Sequence, residues 1–341
     1  MAVTRARYQC LITANMASKY SKSCLRVFTK AIKTNQSGIP GVAFHTPGPI
    51  VLKPQARHEE QPERIYARAS HFSLSQLKWR RTSYSALNPE HAVFSTTTDP
   101  QAVLEGYNRF IFKQLKKGAH TGNLLHYVFE HINFTEPGNW EEVVQRALKR
   151  LSGKTDTDYA QGILRMLQRI ISRPLLPNGT LSLSEISWQN RLNELEFDMP
   201  LTLFNTDMLQ LLSPPETPFY LRSGEEMEGI LNGKMDLFFM HAGKYYILDW
   251  KSNHLGDNPE QYGAEQLSAA MTANNYHLQY HLYTLAASRY LQLRVPGFDY
   301  GRDFGGVIYL FIRGIQEEGN SGIFVHKPEQ SVIDGFRQIL A

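Results

Sequence analysis

The stretch GILNGKMDLFFMHAGKYYILDWK, residues 229–251, restricts the fold of this chain more than any other. Two apolar runs flank the dipeptide Ala242–Gly243, which predicts a β-hairpin with a two-residue turn. Counting outward from that turn sets Asp236 opposite Asp249, with Cβ atoms roughly 5 Å apart on one face of the hairpin. Lys251 lies two residues beyond Asp249 and points to the same face. The hairpin thus predicts two facing carboxylates with an ammonium group beside them.

Two carboxylates directly opposite each other destabilise a hairpin unless a cation neutralises them. Mg²⁺ prefers carboxylate oxygens and keeps several waters, so this face could hold a phosphodiester and activate water against it. Lys251 could orient or deprotonate that water, or stabilise the charge of the transition state. The alternative is a strand face with a structural Lys–Asp pair, and a turn one residue longer would spoil the register.

Other candidate residues are individually ambiguous. His126 follows Leu124 and Leu125 on a predicted helix, where a lone histidine is more often a core or capping residue than a ligand. Glu194 and Glu196 alternate along one strand face and are ordinarily solvated. Gln279 and Tyr283, four apart on a helix, could contact a phosphate or base or simply form its polar border. GILNGKM is not a phosphate loop, because a Walker A loop needs four residues between its glycines.

The order of predicted elements favours an α/β or α+β core. A linker-like region rich in Pro and Gly spans residues 34–78, and a compact body begins near residue 79, where Thr82 or Ser83 could cap a helix. Helices are predicted over 105–131, over 139–173 as one or two, and over 261–293. One or two strands are predicted within 183–204, and an apolar strand in FGGVIYLFIRGI.

Charge is unevenly distributed along the 341 residues. Residues 1–58 contain nine Lys or Arg and no Asp or Glu, which suits a polyanionic partner such as nucleic acid or describes a solvated terminus. Cys10 and Cys24 make no disulfide framework, and no apolar run is long enough for a membrane span. The start of the sequence has no secretory signal. We therefore expect a cytoplasmic protein without membrane contact.

Four motifs together resemble the C-terminal nuclease domain of the RecB family, the beta subunits of bacterial exodeoxyribonuclease V: GKMDLFF, GKYYILDWKSNHLG, YHLQYHLYTLAASRYL and FGGVIYLFIRG. WRRTSYSAL and GNLLHYVFEHINF look like the opening segments of that domain, so the resemblance covers about residues 79–325. It implies a PD-(D/E)xK, or restriction-endonuclease-like, fold within 79–341. That fold is a mixed sheet flanked by helices, here with an added helical N-terminal subregion.

The resemblance also implies roles for particular residues. One or two Mg²⁺ ions would be held by His126, Asp236, Asp249 and the backbone carbonyl of Trp250. Glu194, rather than Glu196, would bind a metal-bound water or a second metal. Lys251 would position or activate the nucleophile, and Gln279 and Tyr283 would bind substrate. Trp250 departs from the family's usual Tyr, but its side chain is expected to point away from the carboxylates.

AVTRAR, residues 2–7, is similar to the last motif of superfamily 1 helicases, with Arg5 as the sensor of the γ-phosphate. Residues 1–33 are therefore interpreted as the end of a helicase domain, without ATPase activity of their own. The implied function is a Mg²⁺-dependent DNA nuclease for double-strand break repair and recombination, acting on a single strand. Its implied partners are RecC- and RecD-like subunits and RecA. The alternatives are a non-cutting remnant that binds DNA or subunits, and a self-contained endonuclease.

Overall fold

The computed structural model describes residues 79–88, 104, 106–152, 157–177, 179 and 181–340. The interpretations of residues 1–33 as a helicase remnant and of 34–78 as a linker lie outside these residues. Among the described residues, no helix combines the length and apolar character needed to cross a membrane.

A mixed six-stranded sheet organises the described region. Its strands are β1 Trp79–Ser83, β2 Arg191–Asn205, β3 Glu226–His241, β4 Lys244–Lys251, β5 Phe304–Phe311 and β6 Ile323–His326. The order is β1-β3-β4-β5-β6, and β2 pairs with β3. The β1–β3 and β4–β5 pairs are parallel, and the β2–β3, β3–β4 and β5–β6 pairs are antiparallel. With helices flanking this sheet, the predicted α/β class is confirmed.

The hairpin between β3 and β4 has the predicted register. His241 pairs with Lys244, and Leu237 pairs with Leu248. Ala242 and Gly243 both have positive φ, 47° and 75°, as a two-residue turn of this hand requires. The predicted two-residue turn is therefore confirmed.

The longest strand, β3, changes partners along one of its edges. β2 pairs with β3 from Glu226 to Phe239, so β1 and β4 must both use the opposite edge. β1 pairs there with Glu228–Asn232, and β4 with Leu237–His241. Gly229 permits the close approach of β1, because a Cβ on it would lie 1.9 Å from a backbone oxygen of β1. Residues 233–236 of β3 are therefore paired on this edge with neither β1 nor β4, and they line the gap between those two strands.

Strands β4 and β5 are buried almost throughout, which explains their continuous apolar sequences. The parallel connection between them runs through α7 Ala264–Ala273 and α8 Tyr276–Arg294. The single long helical stretch predicted over 261–293 is thus two helices. The break falls at Asn275, whose φ of 54° lies in the left-handed region that Asn tolerates better than most residues.

A helical subregion precedes β2, as predicted. It consists of α2 Gly106–Arg109, continued by a π-helical turn Phe110–Gln114, then α3 Ala119–His131, α4 Trp140–Ser152 and α5 Thr157–Ser172. The helix predicted over 105–131 is interrupted before α3, where Gly118 has a φ of 104°. The stretch predicted over 139–173 forms two helices. Ser83, one of the two predicted cap residues, stands at the N-cap of the short helix α1, Tyr84–Leu87.

The remaining helices lie around the sheet: α6 Thr206–Gln210, α9 Tyr300–Asp303 and α10 Gln330–Leu340. β2 follows two short 3₁₀ turns and forms one long strand within the segment predicted to contain one or two. Neither β6 nor α10 was predicted from the sequence.

Candidate active site

Asp236 lies on β3 in the gap between β1 and β4 and is the central carboxylate of the site. Its Oδ1 lies 3.4 Å from Nδ1 of His126, which α3 brings to the sheet. Its Oδ2 accepts a hydrogen bond of 2.9 Å from the backbone N–H of Trp250 on β4. A helix distant in sequence and both strands of the hairpin therefore meet at one carboxylate.

Glu194 lies on β2, directly across from Asp236 of β3. The pairs Asn193–Leu237 and Leu195–Met235 bracket it, and its own φ of 53° is left-handed. A left-handed glutamate within a strand is strained, and such residues concentrate at functional sites. Its carboxylate forms an ion pair with Lys234. Glu196, by contrast, is exposed.

His126, Glu194 and Asp236 form the one group of three potential metal-ligating side chains found within the described residues. A nitrogen of His126 and one oxygen of each carboxylate lie within 4.8 Å of one another. Two carboxylate oxygens and one imidazole are a donor set that fits a divalent cation with open positions for water or substrate. The residues present therefore fit the metal that the sequence resemblance implies.

Asp249 is not one of these three residues, and its carboxylate forms an ion pair with Lys251. Its Oδ2 lies 2.7 Å from Nζ of Lys251, and both side chains are almost fully buried. Two residues that the sequence predicted as metal ligand and catalytic ammonium thus form a buried ion pair. A buried pair of this kind is costly to separate, since either charge alone would lack compensation.

Gln279 and Tyr283, the predicted substrate-binding residues of α8, are buried beside Lys251. Nζ of Lys251 donates to Oε1 of Gln279 at 3.1 Å, and Nε2 of Gln279 donates to the Tyr283 hydroxyl at 3.3 Å. Their side chains are only 7% and 6% exposed. Contact with substrate remains a prediction for both, while the structure shows that Gln279 holds the ammonium and Tyr283 holds Gln279.

Sequence reasoning did not identify three further residues of the site. Tyr276 presents its ring 3.8 Å from Nζ of Lys251, and the Tyr309 hydroxyl donates to Oε1 of Gln279 at 3.0 Å. Lys234 pairs with Glu194. Lys234 could have been found, because it lies two residues before Asp236 on the same strand face. Nothing in the spacing of Tyr276 or Tyr309 indicated a shared neighbour on β4.

Trp250 separates the two charged residues of β4 and is 3% exposed. Its indole stacks on Phe129 of α3, with ring centroids 4.0 Å apart. This stack joins β4 to the helix that carries His126. The predicted role of the Trp250 carbonyl as a metal ligand stays a prediction.

Burial and proximity shift the pKa values of the site in opposing directions. Burial alone would raise the pKa of Asp236, but the interactions with His126, Lys251 and the Trp250 N–H together outweigh it, and the pKa is lowered. Burial alone would lower the pKa of His126, but Asp236 raises it on balance. Burial raises the pKa of Asp249 to about 6, although Lys251 acts against it. Burial would lower the pKa of Lys251, but Asp249 raises it, so the ammonium stays protonated.

Comparison with known proteins agrees with this geometry. The family model of the PD-(D/E)XK nuclease superfamily matches residues 102–340. The match and the mixed six-stranded sheet confirm the restriction-endonuclease-like fold that the motifs implied.

Curated relatives carry the name RecBCD enzyme subunit RecB. The chain is 34% identical over 277 residues to that of Escherichia coli (strain K12), covering 75% of this chain and 22% of the relative. The chain is 32% identical over 279 residues to the RecB subunit of Haemophilus influenzae, covering 78% of this chain and 23% of the relative. The chain is 29% identical over 312 residues to the RecB subunit of Mycobacterium tuberculosis (strain H37Rv), covering 77% of this chain and 28% of the relative. The matched region thus spans less than a third of each of these relatives, and the predicted RecB resemblance is confirmed.

Proposed function

This chain belongs to the PD-(D/E)XK nuclease superfamily, and on that basis we propose that it is a Mg²⁺-dependent nuclease that hydrolyses phosphodiester bonds of DNA. The observation that carries the proposal is the convergence of His126, Glu194 and Asp236 within 4.8 Å, next to the Asp249–Lys251 pair. The close approach of the Glu194 and Asp236 carboxylates favours a bound cation, and the adjacent ammonium suits an anionic substrate.

His126, Glu194 and Asp236 would hold Mg²⁺, with Asp249 and the Trp250 carbonyl as further ligands. When bound, the cation would supply Lewis acidity toward a phosphate oxygen and toward water. The ammonium of Lys251 would hold the attacking water by a hydrogen bond and stabilise negative charge that develops on the phosphate oxygens. Asp249, Gln279 and Tyr276 restrict the position of this ammonium, so little reorganisation is needed during the reaction.

The substrate we propose is a single DNA strand, cut during double-strand break repair and recombination. RecC- and RecD-like subunits are proposed as partners because the similar curated proteins are named as RecB subunits of RecBCD enzymes. RecA is a further proposed partner, on the strength of the family resemblance alone. A cytoplasmic location follows from these partners.

Replacing Lys251 tests the proposed function. Lys251→Ala should abolish cutting of linear DNA in Mg²⁺, a loss of at least about 100-fold, while DNA binding measured by fluorescence anisotropy stays largely intact. Lys244→Ala is the matched control, because Lys244 starts the same strand, β4, and is exposed. Its cutting should equal that of the parent.

Two outcomes would contradict the proposal. Unchanged cutting by Lys251→Ala would remove the assigned role of the ammonium. Absence of any difference between Mg²⁺ and EDTA with the parent chain, on both linear double-stranded and single-stranded DNA, would favour the non-cutting binding module instead. Cutting of circular single-stranded DNA would indicate a self-contained endonuclease.

A further inference from the structure

A polar cleft of about 370 Å³ lies on the helical subregion and shares no residue with the candidate active site. Arg165 and Arg169 of α5, and Arg173 directly after its last residue, line one wall. Tyr107 of α2 and the segment Gln316–Glu317 beyond β5 line the others. The cleft is therefore walled by three cationic side chains that the proposed chemistry does not use.

The three arginines follow one another at intervals of four residues, so Arg165 and Arg169 share one face of α5, and Arg173, just beyond the helix end, lines the same cleft. Like charges at this spacing destabilise a helix unless other groups compensate them. Arg165 and Arg169 are about 6 Å apart along the helix axis. That distance is close to the separation of neighbouring phosphates in an extended nucleic-acid strand.

Two of the guanidinium groups are already held in place. Arg169 lies 3.9 Å over the ring of Tyr107 and 3.3 Å from the carboxylate of Glu317. Arg173 donates a hydrogen bond of 2.6 Å to the backbone oxygen of Glu317. Each guanidinium has five N–H donors, so these contacts leave others for a ligand. Held arginines lose less side-chain entropy when a phosphate binds.

A second observation points to an acceptor in the cleft. The Nε2 atom of Gln316 is buried and finds no hydrogen-bond partner among the described residues. A buried donor without an acceptor is unfavourable, and a phosphate oxygen in the cleft would satisfy it once the amide turns toward the cleft that Gln316 lines. The carboxylate of Glu317 is 80% exposed and therefore neutralises the three cations only weakly.

The cleft lies at the same end of the sheet as the candidate active site. Lys251 pairs with Phe311 at the end of β5, and Gln316 follows Phe311 by five residues. Five residues span at most about 18 Å of extended chain. A single strand bound at Lys251 could therefore reach the cleft within a few nucleotides.

We propose that this cleft binds the sugar–phosphate backbone of the DNA strand outside the active site, through Arg165, Arg169, Arg173 and Gln316. The inference rests on the proposed nuclease function and adds a second anchor for its substrate. Guanidinium groups suit phosphates better than they suit isolated carboxylates, because several donors can bind one oxygen cluster. The cleft would hold the strand in register without reading its bases.

The test uses Arg165→Ala/Arg173→Ala, which leaves the stacked Arg169 in place. The control is Arg294→Ala/Arg302→Ala, which removes two exposed charges at the opposite end of the sheet. Binding of a single strand of about 20 nucleotides is measured by anisotropy in the Lys251→Ala background, at several salt concentrations. Cutting of the same strand is measured in the parent background, and thermal unfolding checks that both double variants fold.

For the cleft variant we expect about a tenfold higher Kd and a slope of log K against log salt reduced by about 1.4, as two lost phosphate contacts on a single strand require. KM should rise about tenfold with kcat unchanged. Equal losses in the control, or unchanged binding and cutting in the cleft variant, would overturn the inference. So would binding of a poly-glutamate peptide by the cleft with no effect on DNA. If the parent neither binds nor cuts DNA, the proposed function itself fails.

Discussion

At the scale of single residues, the strained backbone of Glu194 is the clearest sign that the site is built for a ligand. Its left-handed φ of 53° turns a strand carboxylate toward His126 and Asp236. Without a cation, the two carboxylates are compensated by Lys234, His126 and the backbone N–H of Trp250. Strain and unbalanced negative charge at one place are expected where bound metal supplies the missing stabilisation.

Glu194→Gln should weaken divalent metal binding by at least about tenfold, because one charged oxygen ligand becomes a neutral amide. Calorimetric titration with Mg²⁺ or Mn²⁺ in the absence of DNA measures the effect. Glu196→Gln is the control, since it removes the same charge two residues away from an exposed position. Equal affinities in the two variants would contradict the assignment of Glu194 as a ligand.

Tyr276 should position Lys251 through the face of its ring. Tyr276→Leu is expected to lower kcat by about thirty-fold with KM unchanged, because a partly desolvated cation–π contact contributes about 2 kcal/mol. Tyr276→Phe keeps the ring, loses only the hydroxyl contact to Asn253, and should retain most activity.

A spectroscopic measurement separates this role from simple packing. The Lys251 Hε protons should show an upfield ring-current shift in wild type and in Tyr276→Phe, which Tyr276→Leu loses without any metal or DNA present. If Tyr276→Phe is as impaired as Tyr276→Leu, the hydroxyl and not the ring face would carry the effect.

Residue periodicity predicted only the part of the site that lies within one hairpin. The placement of Asp236, Asp249 and Lys251 followed from alternation along strands and from the turn. His126 and Glu194 reach Asp236 only through tertiary packing, so spacing alone left each of them ambiguous, and the family resemblance was needed to favour them. Tyr276 was not predicted, because it approaches Lys251 from the first turn of α8. The start of that helix depends on the left-handed backbone conformation of Asn275.

At the scale of elements, the β3–β4 turn sets the register that places Asp236 next to the backbone of Trp250. Ala242 has a φ of 47°, which costs an alanine more than an asparagine. Ala242→Asn should therefore raise the free energy of unfolding by about 0.5–1 kcal/mol, and Gly243→Ala, at a φ of 75°, should lower it by about 1 kcal/mol. Urea unfolding measures both. Changes of the same sign in the two variants would contradict the turn conformation.

Helices and strands with strong periodicity were predictable, and their interruptions were not. The apolar runs of β4 and β5 and the helices α4 and α5 agree with the sequence analysis. The break between α7 and α8 depends on Asn275, whose side chain bonds both the backbone of Tyr220 and the side chain of Asn88. Contacts between segments so far apart have no local pattern, and the short edge strand β6 has too few residues to show one.

At the scale of the whole described region, one buried arginine ties the helical subregion to the sheet. Arg313 is fully buried. It donates hydrogen bonds to the backbone oxygens of Ile111, Leu115 and Lys116, at the end of the π-helical turn. It also donates to the backbone oxygen of Ser252, which directly follows Lys251. Carbonyl groups at a helix end carry partial negative charge and stabilise a cation there. The segment that leads into α3, and hence to His126, is thereby held against the strand that carries Asp249 and Lys251.

The stability of the molecule should fall as the pH drops below 6.5, because two buried histidines resist protonation. Burial lowers the pKa of His277 to about 4 and that of His281 to about 3, in a cluster that also contains His326. The unfolded chain binds protons at these imidazoles from about pH 6.5 downward, whereas the folded chain does so only near pH 4 and 3. The free energy of unfolding therefore decreases through this window, by up to about 1.4 kcal/mol per pH unit for each group.

Urea unfolding of wild type and His281→Phe between pH 7.5 and 4.5 isolates the contribution of one imidazole. Phe preserves the stacked arrangement with Phe336 but loses the Nδ1–H bond to the His277 carbonyl, so the variant should be less stable at neutral pH. Its stability should nevertheless fall less steeply with acid, because one titrating group is gone. Asp249, whose raised pKa has the opposite effect between about pH 6 and 4, is present in both proteins and cancels in the difference. Parallel pH profiles for the two proteins would show that His281 does not titrate in the unfolding equilibrium.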